Sequence, residues 1–313
     1  MMSKVAVIAI GGNSLIKSKE QIGLYDQLAT VKETCKHIAE MVAKGWNVAV
    51  THGNGPQVGF LIRRAELAVE ELPMIPLEFA GADTQGCIGY MIQQSLMNEF
   101  RARGINKKAV TVVTQVVVDQ NDPAFQNPSK PIGSFMSEAE AKRHAKEDGW
   151  VVIEDSGRGW RLVVASPEPQ RIVEIEAIKE LLGEGYVVIC VGGGGIPVVD
   201  KGGKLEGVAA VIDKDYASSL LASEIKADSL IISTAVDKVA INFGKPDQKD
   251  LDRMTVAEAE AYLAQGQFPD GSMGPKIKAI IRYLKDGGSR GIITSPAAVV
   301  AALEGKTGTH VVP

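Results

Sequence analysis

The stretch Val5-Ala-Val-Ile-Ala-Ile-Gly-Gly-Asn13 decides the fold class of this 313-residue chain. Its first six residues, Val5–Ile10, are all apolar, as in a strand that is buried on both faces of a sheet. The glycine pair that follows ends the strand in a turn where backbone can approach a ligand closely. A buried strand followed by a glycine-rich turn is typical of parallel α/β sheets.

The rest of the chain alternates helix and strand patterns in the same way. Residues 26–44 carry apolar side chains at helical spacing, residues 47–51 form a second short apolar run, and residues 84–103 are again helical. Residues 109–118 are rich in β-branched side chains and predict one long strand. This order predicts an open, mostly parallel sheet with helices on both faces.

The alternation stops at residues 119–172, where prolines separate short elements. Residues 151–154 and 161–165 predict a small antiparallel ribbon inside this segment. We therefore expect a small protruding subdomain beside the main sheet. The predicted units are an N-terminal lobe of residues 1–185, which includes the subdomain, and a C-terminal lobe of residues 186–313.

The composition excludes several classes of protein. Apolar residues make up 45% and charged residues 23%, which is the ordinary mix of a globular chain. Lys and Arg number 34 against 38 Asp and Glu, so the basic excess of a nucleic-acid binder is missing. The three cysteines are scattered and form no zinc or disulfide pattern. Because no apolar run is long enough for a membrane span or a signal peptide, we expect a cytoplasmic protein.

Glycine-rich turns occur at four places where predicted strands end or helices begin. They are Gly11-Gly12-Asn13, Gly53-Asn54-Gly55, Gly192-Gly193-Gly194-Gly195 and Gly271-Ser272-Met273-Gly274. One such turn can serve geometry alone, but four at one edge of a sheet indicate a ligand site.

Two lysines lie next to these turns. Lys276 falls in the first turn of a predicted helix, where the helix dipole disfavours a cation by up to about 1 kcal/mol. Lys214 stands between Asp213 and Asp215 at a strand-to-helix junction. Each lysine alone fits a solvated side chain, and Asp215 alone fits a helix N-cap; together they fit a phosphate site. We expect both lysines to be exposed, so that removing them hardly affects folding.

Two other motifs fail on inspection. Gly305-Lys306-Thr307 imitates the end of a P-loop, but Val300 stands where that motif needs glycine. The spacing of Gly53, Gly55 and Gly59 has one residue too many for a dinucleotide fingerprint, and the acidic residue of the second strand is missing. The four histidines form no metal-binding or catalytic grouping. A dehydrogenase and a hydrolase are therefore disfavoured.

Longer motifs resemble those of the carbamate kinases within the amino acid kinase family. They are residues 10–14 (IGGNS), 51–59 (THGNGPQVG), 81–94 (GADTQGCIGYMIQQ), 121–131 (NDPAFQNPSKP), 154–161 (EDSGRGWR), 211–215 (VIDKD), 271–276 (GSMGPK) and 305–309 (GKTGT). The resemblance implies an open α/β sandwich that forms a homodimer. It also implies Mg²⁺-dependent, reversible phosphoryl transfer from ATP to carbamate, which gives ADP and carbamoyl phosphate.

The resemblance assigns roles to single residues. Carbamate and its phosphate would contact Gly11, Gly12, Asn13, Gly53 and Asn54. ATP would contact Asp213, Lys214, Asp215, Thr234, Asp237, Phe243, Met273, Gly274 and Lys276. The catalytic residues would be Lys130, Lys214, Lys276 and Asp215. Mg²⁺ would be held mainly by ATP phosphates and water, with no direct ligand from the protein.

The sequence departs from the wider family at two positions. Many family members carry a lysine two residues before the first glycine pair, where this chain has Ala9; in carbamate kinases the subdomain lysine, here Lys130, takes that part. Ala235 replaces a customary acidic residue, which affects the expected adenosine contacts. Another phosphotransferase of the fold, acting on a carboxylate such as acetylglutamate or on a nucleotide, and a non-catalytic nucleotide-binding regulator are the alternatives.

Overall fold

The computed structural model describes residues 4–18, 20–155, 157, 159–269 and 271–313. The strands are β1 (Val5–Ile10), β2 (Asn47–His52), β3 (Ala109–Thr111), β4 (Gln115–Val118), β5 (Lys130–Met136), β6 (Val152–Glu154), β7 (Trp160–Val164), β8 (Pro169–Ile172), β9 (Val187–Ile189), β10 (Ile196–Lys201), β11 (Lys204–Gly207), β12 (Ser229–Ser233), β13 (Val239–Ile241), β14 (Lys249–Leu251), β15 (Arg253–Thr255), β16 (Gly291–Thr294) and β17 (Thr309–Val312). The α-helices are α1 (Leu24–Ala43), α2 (Gly55–Leu67), α3 (Leu77–Ala102), α4 (Glu138–Glu147), α5 (Ile175–Gly183), α6 (Lys214–Glu224), α7 (Val256–Ala264), α8 (Met273–Lys285) and α9 (Val299–Leu303).

The central sheet has eight strands in the described part of the chain, in the order β15-β17-β16-β12-β1-β2-β9-β3. Every neighbouring pair is parallel except β16 with β17. Helices cover both faces of the sheet, and alternate residues of β1 therefore enter two different cores. Val7 and Ala9 pack in the core that includes α6 and α8, whereas Ile8 and Ile10 pack with α1 and α3. The expected open α/β sandwich is confirmed.

One predicted strand is wrong. Residues 109–118 form two strands, and β4 pairs with β8 and β10 in a second, four-stranded sheet. Thr114 causes the break, since its backbone N–H and carbonyl bond to the side chain of Gln85 at 2.8 and 3.0 Å. The hydroxyl of Thr114 also accepts a hydrogen bond from the backbone N–H of Val191. These tertiary contacts replace the ladder bonds that a continuous strand would make.

The protruding subdomain lies within the predicted segment 119–172. It is a three-stranded antiparallel sheet in the order β5-β7-β6, with α4 packed against it. The predicted ribbon of residues 151–154 and 161–165 corresponds to β6 and β7. The subdomain contacts the body mainly through β5 and α2. It therefore stands beside the carboxyl edge of the central sheet, where α2 begins.

Several helix starts differ from expectation. The helix predicted at residues 84–103 begins seven residues earlier, at Leu77, and the helix that carries Lys276 begins at Met273, three residues before that lysine. The N-cap of α6 is Asp213, whose carboxylate accepts from the backbone N–H of Asp215; the alternative in which Asp215 itself caps the helix is wrong. Of the helices in the described ranges, none is long and apolar enough to cross a membrane.

Candidate active site

A cleft of about 780 Å³ opens at the carboxyl edge of the central sheet. The turns after β1 and β2 form one wall, and the first turns of α6 and α8 form the opposite wall. The start of β5 in the subdomain covers it. This is the position at which open α/β sheets bind ligands, and the volume suits a small-molecule substrate pair.

The floor of the cleft is an ion cluster centred on Asp215. Its two carboxylate oxygens accept from Lys214 Nζ and from Lys276 Nζ, each at 2.9 Å. The Asp215 side chain is 4% exposed, and the two lysines are 16% and 15% exposed. The expectation that these lysines are exposed at strand ends is therefore wrong. The α6 and α8 helices pack together, which buries the lysine stems and leaves the ammonium groups facing the cleft.

Burial and charge act in opposite directions on this cluster. Burial lowers the pKa of Lys214, and the neighbouring Lys276 adds to this, although Asp215 partly offsets both. For Asp215, burial disfavours the carboxylate, but the two lysine ion pairs outweigh it and hold the pKa of the carboxyl below its ordinary value. The Asp215 carboxylate is thus ionised at neutral pH and lies between the two lysines.

Lys130 reaches the same cleft from the subdomain. Its Nζ lies 2.7 Å from Oδ2 of Asp213, the residue that caps α6. The sequence places Lys130 more than 80 positions from this helix, yet the structure brings it beside Lys214 and Lys276 in one cavity. All three lysines singled out from the sequence therefore line one cleft.

The glycine turns form the other wall of the cleft. Gly12, Gly53 and Asn54 line it, whereas Gly11 is buried beneath it and the side chain of Asn13 lies outside the described residues. Gly53 is close-fitting, since a Cβ there would lie 3.2 Å from the Lys214 side chain. A side chain at position 53 would press against Lys214 in the ion cluster.

The four consecutive glycines from Gly192 have a different role from the one expected. Only Gly193 lines the cleft. Its φ of 67° lies in the left-handed region, and a Cβ would meet the Asn54 amide at 2.1 Å. Asn54 in turn donates to the Thr84 hydroxyl at 2.9 Å. The glycine run therefore makes room for side chains that shape the cleft, more than it approaches a ligand directly.

The predicted ATP contacts divide into two groups. Asp213, Lys214, Asp215 and Lys276 line the cleft, and Met273 and Gly274 lie in the first turn of α8 beside it. Thr234, Asp237 and Phe243 do not line it; they follow β12 and β13 on the C-terminal lobe. Phe243 is 69% exposed. Their role as adenosine contacts stays a prediction.

One charged pair in the cleft had no role assigned from the sequence. Arg161 and Asp155 lie 3.2 Å apart and both line the cavity from the subdomain. Both residues lie in the motif of residues 154–161, which carries part of the resemblance to carbamate kinases but suggested no role for a single residue. With this pair, four cationic and three anionic side chains line the cleft, an excess of one positive charge in a chain of net charge −4.

This arrangement suits the transfer of a phosphoryl group. Lysine ammonium groups stabilise charge on the equatorial oxygens, and a fixed carboxylate holds them in place.

His52 lies at the end of β2, but burial lowers its pKa to about 4, and its ring bonds to the neighbouring Gly53 carbonyl. A fully buried neutral histidine is a structural element of the turn.

Comparison with known proteins agrees with the geometry. The sequence model of the amino acid kinase family matches residues 4–295. The chain belongs to the amino acid kinase family. Within it, the chain is 52% identical to carbamate kinase from Thermococcus kodakarensis over 99% of both sequences. It is also 52% identical to the carbamate kinase-like protein YahI of Escherichia coli K12, again over 99% of both sequences.

A solved structure gives the same result. Carbamate kinase from Giardia lamblia bound to AMP-PNP is 43% identical, covers 99% of both chains and superposes with a TM-score of 0.93. The resemblance to carbamate kinases is thereby confirmed over the full length of this amino acid kinase.

Proposed function

We propose that this amino acid kinase catalyses the reversible transfer of the ATP γ-phosphoryl group to carbamate, giving ADP and carbamoyl phosphate. The observation that carries the proposal is the convergence of Lys130, Lys214 and Lys276 on one cleft. The high identity to carbamate kinases over the whole chain supports the choice of substrate.

The cleft provides what this reaction needs. Carbamate is an anion with a nucleophilic oxygen, so no side chain has to remove a proton before attack. The protein must hold two negatively charged reactants in line and neutralise the charge of the transferring group. Lys214 and Lys276 lie on the ATP side in this proposal, Lys130 acts on the acceptor side, and the backbone of Gly12, Gly53 and Asn54 holds the carbamate.

We propose that Mg²⁺ enters with the nucleotide, coordinated by phosphates and water. All four carboxylate oxygens of Asp213 and Asp215 already accept hydrogen bonds from protein donors. Within the described ranges, no group of three or more acidic, cysteine or histidine side chains could hold a metal ion. These residues fit a metal that is carried by the substrate, and the bound ion would supply further neutralisation of phosphate charge.

We also propose that the chain forms a homodimer and works in the cytoplasm. Large apolar side chains are exposed at the end of α2, in the connection that follows it and on α3: Leu67, Leu72, Met74, Phe79 and Tyr90. An exposed patch of this kind commonly marks a protein interface. The exposed thiol of Cys87 and the buried thiols of Cys35 and Cys190 suit a reducing compartment. Light scattering of the wild type and of Phe79→Asp tests the dimer, which the substitution should weaken.

The experiment that tests the function is a coupled assay of ATP formation from ADP. Carbamoyl phosphate is compared with acetyl phosphate and with acetylglutamyl phosphate at equal concentration. We expect turnover with carbamoyl phosphate that exceeds the other two by at least about 100-fold. Turnover with acetylglutamyl phosphate instead would identify another phosphotransferase of the fold. Tight ADP binding without any turnover would identify a nucleotide-binding regulator.

A further inference from the structure

Asp213 and Asp215 together form ion pairs with three lysines of the cleft. Both carboxylate oxygens of Asp215 accept hydrogen bonds, one from Lys214 and one from Lys276. Asp213 does something different: Oδ1 accepts from the backbone N–H of Asp215 at 2.9 Å, and Oδ2 accepts from Lys130 Nζ at 2.7 Å. The contact of Asp213 with ATP stays a prediction, and in the structure its carboxylate connects the first turn of α6 to the subdomain.

Lys130 needs such a partner because its own surroundings hold it weakly. It is the first residue of β5, at the end of the subdomain sheet nearest the cleft, and its side chain is 35% exposed. A free lysine side chain carries about 2 kcal/mol of rotamer entropy. The ion pair with Asp213, which is 16% exposed, holds the side chain in the cleft that Lys214 and Lys276 also line.

We propose that Asp213 is a positioning residue that holds Lys130 beside the ion cluster of Asp215, Lys214 and Lys276 before the reaction. This inference rests on the proposed function, since it takes Lys130 to act on the transferring group. An ammonium group has three N–H donors, so pairing with one carboxylate oxygen leaves donors for a phosphoryl oxygen. Asp213 therefore orients Lys130 without occupying it.

The double attachment of Asp213 explains why the geometry is precise enough for catalysis. The same carboxylate caps the helix whose first two residues are Lys214 and Asp215. The acceptor-side lysine and the ATP-side lysine are thereby fixed to one point of the backbone, although they come from different parts of the fold. Supporting groups that lock a reactive side chain in this way reduce the reorganisation needed at the transition state.

The test separates the ion pair from the helix cap. Asp213→Asn keeps an acceptor oxygen, and Asn is as good an N-cap as Asp, but the negative charge is lost. We expect kcat for ATP formation to fall about 10-fold, or about 1.4 kcal/mol of barrier, with the KM for ADP changed less than about two-fold. Asp213→Ser, which also keeps the cap, should behave in the same way if the charge is what matters.

A double-mutant cycle gives the decisive comparison. In a Lys130→Ala background, Asp213→Asn should change kcat by less than about two-fold, because the lysine that it positions is already absent. Independent, multiplying effects of the two substitutions would overturn the proposal. A rise in the KM for ADP that matches the loss of kcat would show instead that Asp213 contacts the nucleotide.

A readout without turnover keeps this test independent of the proposed function. Acetic anhydride labels lysines in the folded enzyme, and mass spectrometry measures the rate at each position. We expect Lys130 to react at least about three-fold faster in Asp213→Asn than in the wild type, since loss of the ion pair releases a side chain that is already 35% exposed to the reagent. Lys142 on α4, paired with Glu138 and 72% exposed, should react at the same rate in both. An unchanged rate at Lys130 refutes the positioning role, whereas a wild type without carbamoyl phosphate turnover refutes only the proposed function.

Discussion

Lys214 and Lys276 on one side of the cleft differ from Lys130 on the other in how they are held. The first two share one buried carboxylate and lie in the first turns of two helices that pack together. Lys130 projects from a subdomain and rests on a single, partly exposed ion pair with Asp213. The three carry the same charge, yet only Lys214 and Lys276 lie on helices that pack against the central sheet.

The difference assigns different parts of the reaction to the two regions. A fixed pair of cations can bind phosphates without rearrangement, which favours nucleotide binding and charge stabilisation. Lys130 is already held in the cleft by Asp213 and can act on the acceptor side, while the subdomain that carries it covers the cleft and can exclude water from the phosphoryl group. This division of roles is testable by substitution, and the largest effects are expected at Lys214 and Lys276.

Lys214→Ala and Lys276→Ala should each lower kcat by about 10²–10³, because each removes a positioned cation from the transferring phosphoryl group. Lys285→Ala on the same helix as Lys276 is the matched control, since Lys285 pairs with Glu260 at the surface. Steady-state kinetics of ATP formation measure the effect. Wild-type kcat in both cleft variants would place the phosphate site elsewhere.

The same variants should also lose stability, in contrast to the expectation drawn from the sequence. Each leaves one oxygen of the buried Asp215 carboxylate without its lysine. An unsatisfied buried acceptor costs about 1–3 kcal/mol, so denaturant unfolding should detect a loss in that range. A stability equal to that of Lys285→Ala would mean that solvent replaces the lost partner.

Lys130→Ala should lower kcat by at least about 10-fold, or about 1.4 kcal/mol of barrier, while the Kd for ADP stays within a few-fold of wild type. In the proposed mechanism Lys130 supplies the acceptor-side cation that position 9 lacks, where Ala9 is completely buried in β1. Calorimetric ADP binding and turnover are measured on the same preparation. If ADP binding weakens as much as turnover slows, Lys130 is a nucleotide contact and the division between the two regions fails.

The buried cluster should also set the alkaline limit of activity. Lys214 acts as a cation, and its pKa is lowered from the ordinary 10.5, mainly by burial. Activity is then full below the lowered pKa and falls as the pH rises through it. The alkaline limb of kcat/KM should therefore lie below pH 10.5 and move upward in Lys214→Arg, because a guanidinium stays protonated. An identical limb in both enzymes assigns it to another group.

Sequence patterns located most of this site because its parts are local. A glycine turn after an apolar strand, or a lysine between two aspartates, can be seen without knowing the fold. Features that depend on tertiary contacts could not be predicted in this way. Thr114, for example, ends a strand only because Gln85 and Val191 bind its polar groups. The burial of Lys214 and Lys276 likewise depends on the packing of α6 against α8, which no local pattern reports.

The roles of individual residues were harder to predict than their positions. Asp213, Lys214 and Asp215 are consecutive, and the sequence predicted an ATP contact for each of them without distinguishing the two aspartates by their partners. In the structure, Asp213 caps α6 and pairs with Lys130, while Asp215 pairs with both Lys214 and Lys276. The partner of Asp213 comes from a different unit of the fold, and residue spacing alone does not reveal such a contact.

The smallest expected effect concerns Phe243, which the resemblance places at the adenosine but which lies outside the lining of the cleft. It is 69% exposed, so it has apolar surface to bury when a nucleotide binds. Covering part of a phenyl ring gains about 1 kcal/mol, so Phe243→Ala should raise the KM for ADP about five-fold and leave kcat unchanged. Tyr25→Ala, which removes an 88% exposed ring from α1, is the matched control and should change neither. An unchanged KM in Phe243→Ala would mean that the adenosine does not contact this loop. The part of the cleft around Lys214 and Lys276 would then bind ADP through its phosphates alone.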